Sequence, residues 1–370
     1  MKKIGILTFH RANNYGAILQ AYSLYKKVLN IDSNNNVEVI NLNLRKREIH
    51  DFKKYNFGRF HIRFKSLINY YRMKKFIKHH MKLSSFKLID SLEEGIEYIN
   101  QQNYDVVITG SDEVWKTNDE LPLPNIYWLP NSLNCKKISY AASANRTPYG
   151  LYSEEVKKKL REYLEDYTCV SVRDDHTKML ISTMTDQDIH IVSDPTFLID
   201  FPELDIRKKM VGAGINVSKP IIGFMGTNIE LVNLYRSNFG SQYEYVSFYQ
   251  HLGDTKFIGN LNPLEFVQVF KYCNLIVTSF FHGTVFSILN EKPFISFEMK
   301  EYGDMESKIH YLLKEANLTD RYFVNDLLFD AENLLEKSAQ LLENDTFNYT
   351  TFIKKQREYF KPIEDILRSL

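Results

Sequence analysis

The sequence predicts a doubly wound α/β fold repeated in two domains. Three observations carry that expectation: the length, the alternation of short apolar runs with helical stretches, and a second start of that alternation past the middle of the chain. At 370 residues the chain exceeds the roughly 250–300 residues at which a single core stops growing. In the first half, Lys3–Phe9 is short, apolar and followed at once by polar residues, the pattern of a strand buried on both faces. From Ala17 to Leu24 apolar side chains then recur three and four apart, as on a helix. Strands are expected again at Val37–Asn41, Asp105–Thr109, Lys137–Ala141, Thr168–Val172 and Ile189–Val192. Helices are expected near Leu92–Gln101, Ser153–Asp166 and Asp175–Ser182. Such alternation implies right-handed crossovers and a mostly parallel sheet.

Between Asp194 and Val217 the pattern lapses into Asp-Pro, Phe-Pro and Gly-Ala-Gly, which reads as a connection between domains. Strands are then expected at Pro220–Met225, Tyr243–Phe248, Leu275–Ser279 and Pro293–Phe297, with helices at Glu230–Asn238, Pro263–Tyr272 and Thr284–Asn290. The expected domains are residues 1–200 and 201–350, with a helical tail, 351–370, that packs back on the first. Two such Rossmann-like domains facing one another set a cleft at the carboxyl ends of their strands, where open α/β sheets bind ligands.

Composition narrows the function classes. Cys135, Cys169 and Cys273 are far apart and show no C-x-x-C spacing, so neither a disulfide framework nor a zinc site is suggested, and no metal is expected. The N-terminal apolar run is too short for a signal peptide, and no stretch approaches the ~18 apolar residues of a spanning helix. A cytoplasmic protein is the expectation. The net charge of +1 hides a basic segment: from Arg45 to Lys82 there are 13 Lys/Arg against only Glu48 and Asp51. Within it Phe60, Phe64, Leu67 and Tyr71 follow helical spacing beside cationic residues. Such a helix either packs on the first domain or lies on an anionic membrane surface, the latter making the protein peripheral on the inner face of the cytoplasmic membrane. Nucleic acid is not expected as a partner, because no nucleic-acid-binding motif accompanies the charge.

Four loops after strands hold the candidate chemistry. Thr8–Ala17 offers His10, Arg11, Asn14 and Tyr15 before a helix, with Gly16 permitting close backbone approach. Thr109–Trp115 presents Asp112 and Glu113 as carboxylates and Trp115 as a stacking surface for a sugar ring. Asp112 there is either a base for an attacking hydroxyl or an ordinary helix cap. Arg173 ends an apolar strand, where it either grips phosphate or carboxylate in bidentate fashion or pairs with Asp174 or Asp175. Ser279–Thr284 leads through a His282-Gly283 turn into a helix, placing an imidazole beside a helix N-terminus. Thr227 with Glu230 has capping-box spacing, and Asp194-Pro195-Thr196 reads as a turn.

Taken together, LTFHRANNYGAILQAYSL, DVVITGSDEVW, ISYAAS, VSVRDDHTKMLI, SDPTFLID and TSFFHGTVFSILNEKPFI resemble the polysaccharide pyruvyl transferase family, in the same order and over most of the chain. The resemblance implies a fold like that of GT-B glycosyltransferases, phosphoenolpyruvate as co-substrate without a further cofactor, and a pyruvate ketal on a sugar as product. The acceptor it implies is a lipid-linked or oligosaccharide precursor, held by the first domain while the second holds the donor. Its Arg falls on Arg173 and its His on His282; on the reading of the loops themselves, Ser279, Gly283 and Thr284 are expected to join Arg173 in donor binding and Asp112 to join His282 in catalysis. Asn14, Tyr15, Glu113 and Trp115 would face the acceptor. Where many members have Arg two residues before the His, this chain has Phe280, and His10 or Arg11 is the expected replacement.

Overall fold

Short apolar strands bounded by turn residues pair in parallel throughout both halves of the computed structural model. The chain divides into two units, Met1–Ile199 with Gln356–Leu370, and Asp200–Lys355. The structure describes residues 2–56, 60–118, 121–298, 307–324 and 331–369, and between 51 and 67 the backbone alone.

In the first unit β1 (Lys3–Leu7), β2 (Asn36–Val39), β5 (Val106–Thr109), β6 (Lys136–Ser139), β7 (Tyr167–Val172) and β8 (Ile189–Ile191) form one sheet in the order β2-β1-β5-β6-β7-β8. Ile4 stands opposite Val37 on one side and Val106 on the other. A separate parallel pair, β3 (Leu42–Leu44) with β4 (Lys87–Ile89), flanks it. The helices are α1 (Tyr15–Leu29), α2 (Arg45–Asn56), α3 (Phe60–His80), α4 (Leu92–Gln101), α5 (Glu154–Glu165) and α6 (Asp175–Ser182). Local chemistry sets their starts: the side chains of Asn14, Ser91, Ser153 and Asp174 accept first-turn N–H groups. Because β2 lies on one side of β1 and β5 on the other, the winding reverses between β1 and β5. Ligands of such sheets bind outside the carboxyl ends at that reversal.

The second unit repeats the logic. Its strands β9 (Ile221–Met225), β10 (Glu244–Ser247), β11 (Lys256–Phe257), β12 (Leu275–Thr278), β13 (Phe294–Glu298) and β14 (Tyr322–Val324) run in the order β11-β10-β9-β12-β13-β14, all parallel. Around them lie α7 (Arg207–Gly212), α8 (Ile229–Phe239), α9 (Pro263–Tyr272), α10 (Phe281–Leu289), α11 (Lys308–Glu315) and α12 (Ala331–Glu343). Here the winding reverses between β9 and β12. Asn262 and Glu265 make a reciprocal capping box on α9, whereas the cap of α8 is Asn228, not Thr227, with its side chain accepting the Leu231 N–H at 2.9 Å.

Two further helices, α13 (Tyr349–Glu358) and α14 (Lys361–Ser369), end the described chain, which returns to the first unit at Gln356. There α14 is fastened by Lys27 to Glu364 at 3.0 Å and by Arg368 donating to the Ile31 carbonyl at 3.0 Å. Of the basic segment's apolar stripe, Phe60, Phe64 and Leu67 lie outside the described side chains, while Tyr71 is exposed. Among the described residues no helix is long and apolar enough to cross a membrane, and no group of three His, Cys, Asp or Glu is placed to hold a metal.

Candidate functional site

Beside the reversal of the first sheet the loops after β5, β6 and β7 follow one another along the sheet edge. The Ser143 N–H donates to the Asp112 carbonyl at 3.0 Å, and the Arg173 N–H to the Ala142 carbonyl at 3.2 Å. The loop after β5 is unusual in its backbone. Gly110 has φ +105°, and a Cβ there would run into the Tyr140 carbonyl, so only glycine fits. Asp112 has φ +83°, a conformation that costs a non-glycine residue ~1–3 kcal/mol and that concentrates at functional sites. Its half-buried carboxyl group sits beside half-buried Glu113, and the adjoining Ser111 hydroxyl is buried with no partner among the described residues.

Arg173 lies at this edge with one nitrogen of its guanidinium committed to a carboxylate. It is 4% exposed, and its Nη1 donates to the fully buried Asp194 carboxylate at 3.4 Å. Burial opposes the charge, but the carboxylates of Asp194, Asp112, Asp174 and Glu113 outweigh it and hold the guanidinium above its ordinary pKa. Asp194 also accepts from the Gln20 amide, from the Thr196 N–H at 3.0 Å and from the Thr196 hydroxyl at 2.6 Å. Asp194 is the carboxylate that Arg173 meets here, while Asp174 caps α6 through Thr177 and accepts from the Ser143 hydroxyl, each at 2.7 Å.

Other expected contact residues of this unit have partners within it. Trp115 is 0% exposed, stacks on Trp128 at 4.8 Å and donates its indole N–H to the Tyr127 carbonyl at 3.1 Å, so it offers no face to a sugar. The Asn14 side-chain oxygen is occupied capping α1, accepting from Gly16 at 2.8 Å and Ala17 at 3.4 Å. Tyr15 is buried, with its hydroxyl donating to Asn69 at 3.4 Å. His10 is buried and carries no charge at neutral pH: burial lowers its pKa to about 4, helped by Arg11 and Arg47 and opposed by hydrogen bonds to Thr8 and Asn41. Arg11 pairs with Glu48 at 3.2 Å, and its guanidinium lies 4.3 Å from the centre of the Phe86 ring.

At the reversal of the second sheet the loops Gly226–Asn228 and Ser279–His282 are neighbours. Gly226 has φ +72°, and a Cβ on it would meet the Ser279 hydroxyl at 2.6 Å. The Ser279 hydroxyl donates to the Gly226 carbonyl. Helix α10 begins three residues earlier than its expected start at Thr284, and no side chain caps it. The half-buried His282 therefore lies inside the first turn, with Phe281, His282 and Gly283 supplying the first N–H groups at the positive end of the helix. Thr284 does not serve as expected. Its N–H donates to the Phe280 carbonyl at 3.1 Å, and its buried hydroxyl meets Ser296 at 2.7 Å. Gly283 is dictated by packing, since a Cβ would overlap the Thr278 side chain. Sequence reasoning missed Thr227 as a polar group here: its hydroxyl is buried with no partner among the described residues.

The family profile of polysaccharide pyruvyl transferase matches residues 14–301. The chain belongs to the polysaccharide pyruvyl transferase family. A search of the curated proteins finds no match. Among solved structures, UDP-GlcNAc 2-epimerase from Methanocaldococcus jannaschii is similar over 99% of each chain at 11% identity, with a TM-score of 0.57. UDP-GlcNAc 2-epimerase from Neisseria meningitidis bound to UDP-GlcNAc is similar over 100% of each chain at 11% identity (TM-score 0.53). The Anabaena protein HepE in complex with UDP and glucose is similar over 100% of each chain at 12% identity (TM-score 0.53). At such identities the likeness is one of fold: this member of the family has the two Rossmann-like units of GT-B enzymes.

Proposed function

We propose that this pyruvyl transferase takes phosphoenolpyruvate as donor and builds a pyruvate ketal on two hydroxyls of a sugar in a polysaccharide precursor. In the reaction a sugar oxygen attacks C2 of the donor while its methylene carbon takes a proton and becomes methyl. The bond from C2 to the phosphate oxygen breaks, and the second sugar oxygen then closes the ketal. The two hydroxyl protons balance the sum, one ending on the methyl group and one on the released phosphate.

One observation carries the reading within this family: the uncapped first turn of α10, with His282 inside it, at the reversal of the second sheet. A doubly charged enol phosphate is stabilised there by the positive helix end, by the Phe281–Gly283 N–H groups and by the imidazole. An anion beside His282 favours its protonated form, which suits it to supply the methylene proton or to steady the departing phosphate. Asp112, in the first unit, is the group we assign to the acceptor hydroxyl, with Glu113 beside it. Arg173 is a positioning residue in this scheme, holding together the carboxylates that border the loop.

The test is phosphate release from phosphoenolpyruvate with galactose- or mannose-type acceptors. Release should require both partners and no nucleotide sugar, and His282→Ala should lower turnover by ~10²–10⁴ without lowering the melting temperature. Turnover that demands a nucleotide sugar instead would make the chain a glycosyltransferase and end this reading.

A further inference from the structure

The loop after β6 carries an aromatic ring that is held from behind and open in front. Two turns shape the loop. The Thr147 N–H donates to the Ala144 carbonyl at 3.2 Å, and the Leu151 N–H to the Pro148 carbonyl at 3.0 Å, which puts Tyr149 and Gly150 at the tip of the second turn. The Tyr149 ring lies on the buried His176 imidazole, with centroids 4.7 Å apart and planes 29° from parallel, and its hydroxyl donates to the Met179 sulfur at 3.6 Å. His176 and Met179, three apart on α6, meet it from one face of that helix. His176 is itself fixed, its Nε2–H donating to the Thr147 carbonyl at 2.8 Å. One face of the ring and its hydroxyl are thus engaged, and Tyr149 is still 39% exposed.

The setting selects the guest. At its start the same loop is tied to the edge that carries Asp112: the Ser143 N–H donates to the Asp112 carbonyl at 3.0 Å and the Ser143 hydroxyl to Asp174 at 2.7 Å. Partial burial and the carboxylates of Asp174 and Asp175 raise the pKa of the Tyr149 phenol, so negative charge surrounds the ring and an anion is disfavoured. The negative face of an aromatic ring attracts the polarised C–H bonds of a pyranose, while carboxylates accept from the hydroxyls around its rim. A ring already packed on one side also loses little conformational freedom when a ligand covers the other.

We propose that Tyr149 is the stacking platform of the first unit, its outer face binding a neutral pyranose ring of the acceptor. It takes the role expected of Trp115, whose indole is buried against Trp128. The proposal rests on the pyruvyl transferase reading only in making that sugar the acceptor.

Trp115 and Trp128 are both 0% exposed, so the indole introduced by Tyr149→Trp reports on the platform by fluorescence. Titrating that variant of the full chain with methyl galactoside and methyl mannoside should shift its emission with at least one of them, and glycerol should not. In turnover assays Tyr149→Ala should raise KM for the same glycosides about three- to tenfold, with KM for phosphoenolpyruvate as in the parent and a melting temperature within about 2 °C of it. Tyr149→Phe should restore the acceptor KM, and Tyr149→Leu, apolar but without a π face, should not. An acceptor KM unchanged in Tyr149→Ala overturns the proposal, as does emission that neither glycoside moves. Rescue by Tyr149→Leu overturns it too, because the residue would then be one part of an apolar patch for a protein partner. Emission that shifts with a glycoside while the parent releases no phosphate from phosphoenolpyruvate removes the transferase reading and keeps the platform.

Discussion

Replacing Arg173 by Leu separates two roles that lead to opposite measurements. The structure makes its guanidinium the counter-ion of Asp194, 3.4 Å away and fully buried. Without it, the Asp194 carboxylate keeps the Gln20 amide and the Thr196 N–H and hydroxyl but loses its balancing charge. Breaking one side of such a pair costs about 3–5 kcal/mol. For a unit of about 200 residues, each kcal/mol moves the melting temperature by about 2–4 °C, so a fall of roughly 10 °C is expected by differential scanning calorimetry. Removing both charges in Arg173→Leu/Asp194→Leu should recover much of that loss, because an apolar pair of similar size is often as stable as the buried ions. A residue that gripped the donor would behave otherwise, with KM for phosphoenolpyruvate rising, the melting temperature holding and the second substitution repairing nothing. An Arg173→Leu melt within about 2 °C of the parent refutes the buried-pair account.

Asp112→Gly should melt at or above the parent temperature, since glycine adopts φ +83° without the cost borne by Asp112, while phosphate release with a sugar acceptor falls at least a hundredfold. Stability below the parent with activity retained would contradict both halves. His10 makes stability depend on pH: its folded pKa is depressed to about 4, so the unfolded chain takes up the proton first. Its contribution is complete above pH ~6.5 and declines by about 3 kcal/mol between pH ~6.5 and 4. Urea unfolding of His10→Gln across that window should show a flatter slope than the parent, and parallel slopes count against the assignment. Gly283→Ala should lose ~1–3 kcal/mol through overpacking against Thr278, visible as a lower urea midpoint.

The elements were legible where local chemistry and burial agree. Leu92–Gln101, Asp175–Ser182 and Pro263–Tyr272 are helices at the expected bounds, each opened by a side-chain cap that the sequence displays. The early start of α10 was not legible because Phe280 has no side chain that can cap it. The burial of Trp115 and of the Arg173–Asp194 pair was not foreseen for a common reason. A residue after a strand reads as facing solvent, yet the isolated bridges Asp112↔Ala142 and Ala142↔Val172 prolong the sheet beyond its named strands, carrying those side chains into the core. Asp194 shows the complementary limit. Its turn with Thr196 is written locally, whereas its partnership with Gln20 joins residues 174 apart, which no spacing rule reaches.

The two reversals share a topology and differ in charge, and that difference argues for a division of labour. The second unit's loops, Gly226–Asn228 and Ser279–His282, contain no carboxylate and end in a helix whose positive pole is uncapped. On the proposed reading an anion is stabilised there and a hydroxyl gains little. The first unit's loop after β5 holds Asp112 and Glu113, whose negative charge the buried Arg173 helps to balance. A phosphate beside those carboxylates would be repelled at close range, while a neutral sugar hydroxyl finds an acceptor for its proton. Reversing the signs tests this directly. Asp112→Asn should cut turnover while leaving phosphoenolpyruvate affinity as it was or tighter, and His282→Asp should abolish donor binding outright. If Asp112→Asn weakens the donor and spares turnover, the carboxylate belongs to donor binding and the assignment of the two units must be exchanged.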